Sequence, residues 1–113
     1  EKIKNKKIIL VDDTIVRGNV IQTVIESIKK CGAIEIHIRI PAPPVVDRCQ
    51  LGIAIQSKKE LIINNRTINQ VGNVLGVDSI AYLNLDDLTM FPKDSYKECF
   101  GGGIASEIVE KFK

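Results

Sequence analysis

The sequence predicts a single α/β domain built on a parallel β-sheet, and three observations lead to this fold class. With 113 residues, the chain has room for one domain. Its hydrophobic share is 44% and its aromatic share only 4%, so the core is expected to pack through branched aliphatic side chains, which favour strands. Apolar runs of strand length also alternate with a helical pattern, which is the order expected of a βαβ unit.

The N-terminal third of the chain carries this βαβ pattern. Residues 8–11 form an uninterrupted apolar run, which predicts a strand buried on both faces at the centre of the sheet. Apolar residues then recur at helical spacing over residues 20–31, and Gly32 is expected to end that helix. Over residues 34–40, Ile alternates with polar residues and predicts a second strand. A right-handed crossover should connect the two strands.

The rest of the chain begins with a proline-rich exit from the second strand, followed by a loop to about residue 56. Caps and spacing predict the elements that follow. They are a helix over residues 58–63 capped by Ser57, a helix over residues 68–75 capped by Thr67 and stopped by Gly76, a strand over residues 79–83, a short helix over residues 85–90 capped by Asn84, an irregular stretch over residues 92–103 and a helix over residues 104–112.

Composition excludes several classes of function. The net charge of +2 and the few aromatic residues argue against nucleic-acid binding. No apolar run approaches the roughly 18 residues of a membrane span, and residues 1–7 lack the apolar stretch of a signal peptide, so a cytoplasmic protein without a membrane partner is expected. The three cysteines are too few for a disulfide framework. Because the first residue is Glu1, we expect the chain to be part of a longer protein.

The most informative stretch joins the first strand to the first helix. Asp12 and Asp13 follow the strand, at the sheet edge where open α/β sheets bind ligands. Backbone N–H groups of residues 14–19 and the helix N-terminus can converge there on a phosphate. The carboxylates can accept hydrogen bonds from sugar hydroxyls or hold a divalent cation. The pattern therefore predicts a phosphorylated sugar, a metal-bound nucleotide or a phosphoryl-transfer site.

Two other interpretations fit part of this pattern. An Asp pair after a strand can simply cap the loop and the helix. A receiver-type signalling domain also opens with a strand and an acidic pair that binds Mg²⁺. Such a domain needs a further Asp at the end of its third strand, and the second predicted strand here ends in Ile40-Pro41-Ala42-Pro43, without a carboxylate.

The loop resembles the phosphoribosyl pyrophosphate loop of type I phosphoribosyltransferases, since it reads Asp12-Asp13-Thr14-Ile15-Val16-Arg17-Gly18. Within that class, it is similar to the glutamine phosphoribosylpyrophosphate amidotransferase family, whose loop reads Asp-Asp-Ser-Ile-Val-Arg-Gly-Thr-Thr. The resemblance continues through Cys31-Gly32-Ala33, Glu60-Leu61-Ile62 and Gly76 to Leu83. It therefore covers nearly the whole chain and implies the C-terminal part of a type I phosphoribosyltransferase domain over residues 1–113.

The resemblance implies roles for individual residues. Asp12 and Asp13 would hold the ribose hydroxyls and the Mg²⁺ bound to pyrophosphate. The 5-phosphate would be wrapped by Thr14, Ile15, Val16, Arg17, Gly18 and Asn19. The implied reaction is the displacement of pyrophosphate by ammonia to give phosphoribosylamine, the first step of purine synthesis. Such a site needs fixed negative charge and exact positioning more than a nucleophilic side chain.

The resemblance also implies partners outside this chain. The family's glutaminase domain and the first part of its transferase domain would precede Glu1, and the parent protein would be a homo-oligomer. The isolated chain is therefore predicted to bind phosphoribosyl pyrophosphate weakly at most and to lack glutamine-dependent turnover.

Three positions depart from the family pattern. Asn19 and Val20 replace two threonines, and Ala54 replaces an aspartate. The altered loop leaves a non-catalytic phosphoribosyl pyrophosphate-binding regulator as the alternative function. Some members of the family hold a [4Fe–4S] cluster on four cysteines, and Cys49 and Cys99 lie at two of those positions. Tyr96 occupies a third, so the sequence favours reduced, buried thiols over a cluster.

Overall fold

A computed structural model describes residues 2–49, 54–92, 95 and 97–101 and places three parallel strands in one sheet. The spatial order is β1 (Lys7–Val11), β2 (Glu35–Ile40) and β3 (Ser79–Tyr82). Helix α1 (Asn19–Lys30) connects the first two strands, and helix α2 (Ile68–Leu75) precedes β3. Both strand pairs are parallel, so the predicted α/β class is confirmed. Three short 3₁₀ segments complete the described elements: Lys58–Glu60, Leu85–Met90 and Glu98–Phe100.

The main core lies between one face of the sheet and the two helices. Alternate residues of β2 point to this face, as the period of two requires. Ile38 at its centre is fully buried, and Ile25 of α1 and Val71 of α2 belong to the same cluster. Branched aliphatic residues dominate this core, as the composition predicts. Its buried members are Ile15, Ile21, Ile25, Ile28, Ile36, Ile38, Ile40, Ile62, Val71 and Leu75.

A second, smaller core lies beside the loop that follows β1. Val45, Leu61 and Cys99 are buried there, and Val16 and Cys49 pack against them from the surface. Val16 belongs to the predicted site loop, whereas the other residues come from positions at least 29 residues later in the chain. Tertiary packing therefore fixes the position of this loop independently of its own strand and helix.

Strand β1 does not lie where its apolar run predicts. Within the described sheet, β1 is an edge strand and β2 is central. Ile8 and Leu10 pack against the main core, but Ile9 and Val11 are 68% and 65% exposed. The prediction of a central strand buried on both faces is wrong for the described residues, because both helices pack on the other face of the sheet. An apolar run does not show which of its faces the helices cover.

Several predicted helix ends are confirmed. Thr67 caps α2 through a reciprocal pair of bonds: its Oγ1 accepts from the Gln70 N–H at 3.2 Å, and Gln70 Oε1 accepts from the Thr67 N–H at 2.8 Å. Gly76 ends the helix in the left-handed region at φ 68°. Gly32 likewise follows α1 at φ 86°. Capping residues and C-terminal glycines therefore located these helices correctly.

The segment after Ser57 forms less helix than its spacing predicts. Only Lys58–Glu60 is helical, as one 3₁₀ turn, and Leu61 returns to extended backbone at ψ 130°. Leu61 and Ile62 are buried in the two cores, and the Ile62 N–H donates to the Val16 carbonyl at 2.8 Å. Packing against the site loop therefore overrides the helical spacing. The predicted helix over residues 104–112 lies outside the described residues. Among the residues that the structure does describe, no helix is long and apolar enough to cross a membrane.

Candidate functional site

A cleft of about 280 Å³ lies between the carboxyl end of β1 and the N-terminus of α1. The loop that joins these two elements forms its walls. The Asp12 N–H donates to the Arg39 carbonyl at 3.3 Å, so the start of the loop is still tied to β2. The lining residues are Asp12, Thr14, Ile15, Val16, Arg17, Gly18, Asn19, Val20 and Ile21. Of the residues predicted to bind the sugar phosphate and its metal, all except Asp13 therefore line one cleft.

The two neighbouring carboxylates differ in position. Asp12 lines the cleft and is partly buried, whereas Asp13 is exposed and is not among the lining residues. Each also shapes the turn, because Asp12 Oδ1 accepts from the Asp13 N–H at 2.9 Å and Asp13 Oδ1 accepts from the Thr14 N–H at 2.7 Å. The loop-capping interpretation thus describes part of what this pair does. Asp12 alone combines that role with a place in the cleft.

The loop leaves donors available to an anion. Within the described part of the chain, the backbone N–H groups of residues 15–18 have no internal acceptor. Gly18 occupies the N-cap position of α1 at φ 89°, no side chain caps this helix end, and its first turn has no acidic residue. Backbone N–H groups at a helix N-terminus, without a competing carboxylate, attract negative charge. The geometry suits a phosphate group.

The Arg17 guanidinium is occupied by contacts outside the loop. Its Nε and Nη2 donate to Glu60 Oε2 at 3.0 and 2.7 Å, and Nη2 also donates to the Ala54 carbonyl at 2.5 Å. The Arg17 hydrogen bond is the largest cause that lowers the pKa of the Glu60 carboxyl, followed by the Ser57 N–H. Arg17 therefore lines the cleft while its charge is paired with Glu60, and the loop must hold an anion mainly through its backbone.

Ile62 and Glu60, which hold the loop in place, were not predicted as site residues. Gly18 is buried against the Ile62 side chain, and a Cβ atom at Gly18 would overlap with Ile62 Cδ1. The spacing Ser57-x-x-Glu60 marks a capping box, and this box is present. That signal identifies Glu60 as a helix-capping residue, but its contact with Arg17, 43 residues away, has no local signal.

The described residues offer few ligands for a metal. No group of three or more His, Cys, Asp or Glu side chains comes together within residues 2–49, 54–92, 95 and 97–101. Asp12 and Asp13 are still compatible with Mg²⁺, which is usually bound by one or two carboxylates together with substrate phosphates. Cys49 and Cys99, which lie at two of the family's cluster positions, belong to the second core, and Tyr96 lies outside the described residues.

Comparisons with known proteins agree on one family. No family model matches the chain. A curated amidophosphoribosyltransferase from Methanocaldococcus jannaschii is 39% identical over 108 residues, which cover 94% of this chain and 23% of that protein. The amidophosphoribosyltransferase of Homo sapiens is 40% identical over 97 residues, which cover 86% of this chain and 19% of that protein. The chain thus spans about a fifth of the length of these relatives.

Solved structures give the same result. A glutamine phosphoribosylpyrophosphate amidotransferase from B. subtilis, complexed with ADP and GMP, superposes with a TM-score of 0.75 at 26% identity, covering 91% of this chain and 24% of that one. A structure described as the allosteric regulatory enzyme of purine biosynthesis gives a TM-score of 0.78 at 27% identity, covering 90% and 24%. In sequence and in fold, this chain therefore corresponds to one segment of the amidophosphoribosyltransferase family.

Proposed function

We propose that this chain supplies the sugar-phosphate-binding part of an amidophosphoribosyltransferase and binds phosphoribosyl pyrophosphate in the cleft after β1. The observation that carries the proposal is the combination of Asp12 and residues 14–19 in one cleft, beside N–H groups that have no acceptor among the described residues. In this assignment, the loop over residues 14–19 holds the 5-phosphate, mainly through the backbone N–H groups of residues 15–18. The Asp12 carboxylate accepts hydrogen bonds from the ribose hydroxyls.

The proposed reaction exchanges one bond at the anomeric carbon of the ribose. The nitrogen of ammonia forms a bond to this carbon, and the bond from the carbon to the pyrophosphate oxygen breaks. Pyrophosphate leaves with the electron pair, and the amine product loses a proton. As the bond breaks, positive charge develops on the sugar, and the fixed carboxylate of Asp12 stabilises that charge. The chain needs no nucleophilic side chain for this role.

Mg²⁺ and further partners belong to the same proposal. Asp12 and Asp13 would hold the metal together with the substrate's pyrophosphate, where the metal would neutralise charge on the leaving group. Ammonia would come from a glutamine-hydrolysing domain that is not part of these 113 residues. A homo-oligomeric parent protein and a cytoplasmic location complete the assignment, and the family resemblance supports both.

Isothermal titration with phosphoribosyl pyrophosphate and Mg²⁺ tests the proposal. We expect saturable binding to the unaltered chain, and we expect Asp12→Asn to weaken it because one charged acceptor in the cleft is lost. Asp13→Asn serves for comparison, since Asp13 would contribute to Mg²⁺ binding but does not line the cleft. We expect it to weaken binding less. Equal affinity in the unaltered chain and Asp12→Asn would show that the site is assigned wrongly.

A further inference from the structure

The loop over residues 12–18 is held in place by a segment that lies far from it in the sequence. Three contacts connect the two: the Arg17 guanidinium with Glu60, the Val16 carbonyl with the Ile62 N–H, and the Gly18 backbone with the Ile62 side chain. The first of these is a charged pair, and it is the one that a conservative substitution can alter without opening the core. It connects the loop to the segment through side chains alone.

The two oxygens of the Glu60 carboxylate have separate roles. Oε1 accepts from the backbone N–H groups of Gln56 and Ser57, at 2.9 and 2.8 Å, and fixes the capped turn. Oε2 accepts from Nε and Nη2 of Arg17 and fixes the loop. Charged hydrogen bonds with two donors from one guanidinium restrict both distance and direction. One carboxylate thus links the position of the turn to the position of the loop.

The contact between Arg17 and Glu60 affects the orientation of backbone N–H groups in the cleft. Arg17 lies between Val16 and Gly18, whose backbone N–H groups have no acceptor in the part of the chain that the structure describes. The directions of these N–H groups follow from the loop backbone, and small changes in such directions weaken binding strongly. An Arg17 side chain that is held in one position keeps the backbone on both sides of it in one conformation.

From these contacts, we propose that Glu60 is a positioning residue for sugar-phosphate binding: it holds Arg17 and thereby orients the loop, without touching the ligand. The proposal rests on the proposed function, because it assumes that the cleft takes the phosphate of a ribose 5-phosphate group. Because Glu60 acts on the loop alone, its loss should weaken binding of the 5-phosphate group. The contacts of the pyrophosphate group should be unaffected.

The test measures binding of ribose 5-phosphate to the full chain by isothermal titration, with variants at both ends of the contact. Glu60→Gln keeps an oxygen for the Gln56 and Ser57 N–H groups but loses the charge that holds Arg17. We expect it to weaken binding about tenfold. Asp47→Asn is the matched control, because Asp47 forms a 2.7 Å ion pair with Lys58 in the neighbouring turn and, among the described residues, forms no hydrogen bond or ion pair with the loop. Its affinity should change less than about twofold.

A double-mutant cycle separates positioning from a purely structural role. We expect Arg17→Gln to weaken binding as much as Glu60→Gln, and we expect the double variant to be no weaker than either single variant. Additive losses would overturn the proposal, as would an unchanged affinity in Glu60→Gln. If Glu60→Gln does not fold, Arg17→Lys carries the same test, since lysine keeps the charge but cannot donate two directed bonds to the carboxylate. Absence of binding to the unaltered chain would overturn the proposed function as well, and this distinguishes the two failures.

Discussion

Gly18 lies directly against the side chain of Ile62, and this contact disfavours any larger residue at the N-cap of α1. A Cβ atom at position 18 would overlap with Ile62 Cδ1, and the backbone there has a φ of 89°, which L side chains rarely adopt. We therefore expect Gly18→Ala to lower the free energy of unfolding by about 2 kcal/mol, as strain and overlap add. Urea denaturation of the purified chain measures this loss.

Gly32→Ala is the control for Gly18→Ala. Gly32 has nearly the same φ, 86°, but the three heavy atoms nearest to a Cβ atom there all belong to Lys4, and the nearest, Cγ of its flexible side chain, would lie at 3.3 Å. We expect this variant to lose about 1 kcal/mol, the strain alone. Adding Ile62→Val to Gly18→Ala removes the overlapping methyl group and should make the loss smaller than the sum of the two single losses. Strict additivity would contradict the contact described.

Replacing Tyr82 by phenylalanine is expected to stabilise the fold. Its Oη is buried without a hydrogen-bond partner among the described residues, and burial raises the pKa of Tyr82 to about 12. A buried hydroxyl without a partner costs free energy, so we expect Tyr82→Phe to raise the free energy of unfolding by up to about 1 kcal/mol. Thermal denaturation measures the change. Tyr82→Leu, which also loses the ring, should be less stable than the unaltered chain, and a clear loss in Tyr82→Phe would contradict the prediction.

Protonation of Glu60 is expected to lower the stability of the folded chain in acid. The Arg17 guanidinium lowers the pKa of this carboxyl below its ordinary value of 4.5, so the carboxylate stabilises the folded chain above about pH 4.5. The contribution is lost as the pH falls through the folded-state pKa, since the unfolded state then binds more protons. We expect the free energy of unfolding to fall less steeply with acid in Glu60→Gln than in the unaltered chain. Urea midpoints between pH 6 and pH 3 measure this slope.

The control for this slope is Glu26→Gln. Glu26 is exposed on α1 and takes part in no ion pair within the described part of the chain. Its substitution should leave the acid slope close to that of the unaltered chain. A slope in Glu60→Gln equal to that in Glu26→Gln would contradict the assignment to the Arg17 contact.

The side-chain cap that Thr67 forms at the start of α2 is expected to stabilise the fold. Its Oγ1 accepts the Gln70 N–H at 3.2 Å at the start of α2, and replacement by alanine leaves this N–H without its acceptor. We expect Thr67→Ala to lower the free energy of unfolding by about 1 kcal/mol. Thr23→Ala serves for comparison, because Thr23 is exposed within α1 and its hydroxyl bonds only the Asn19 carbonyl of its own helix. That variant should be unchanged or slightly more stable, since alanine has the highest helix propensity.

The sequence predicted those features that depend on neighbours in the chain. The limits of α2 follow from Thr67 and Gly76, and the inward face of β2 follows from its alternating residues. The loop after β1 was recognised from its own residues in the same way. Each of these signals is local, because capping bonds and the two-residue period act within a few positions.

Features that depend on distant partners were predicted less well. The apolar run of β1 predicts a central strand, yet which strands flank it is decided by the whole topology. Leu61 continues a helical spacing but is drawn into the second core. Asp12 and Asp13 look equivalent in the sequence, and only the bend of the loop brings one of them into the cleft. The pairing of Arg17 with Glu60 joins positions whose separation no periodic pattern covers.

The contacts of Val16, Arg17 and Gly18 with residues 60–62 have a consequence for the order of folding. The pairing of β1 with β2 joins positions such as Lys7 and Glu35, which are closer in sequence than Arg17 and Glu60, so it closes a shorter loop and can form earlier. The cleft cannot take its final shape until a closed loop of more than 40 residues brings Glu60 and Ile62 to it, and closing that loop costs chain entropy. The binding site is therefore expected to take its final shape after β1 has paired with β2, and ligand binding should report a later stage of folding than that pairing.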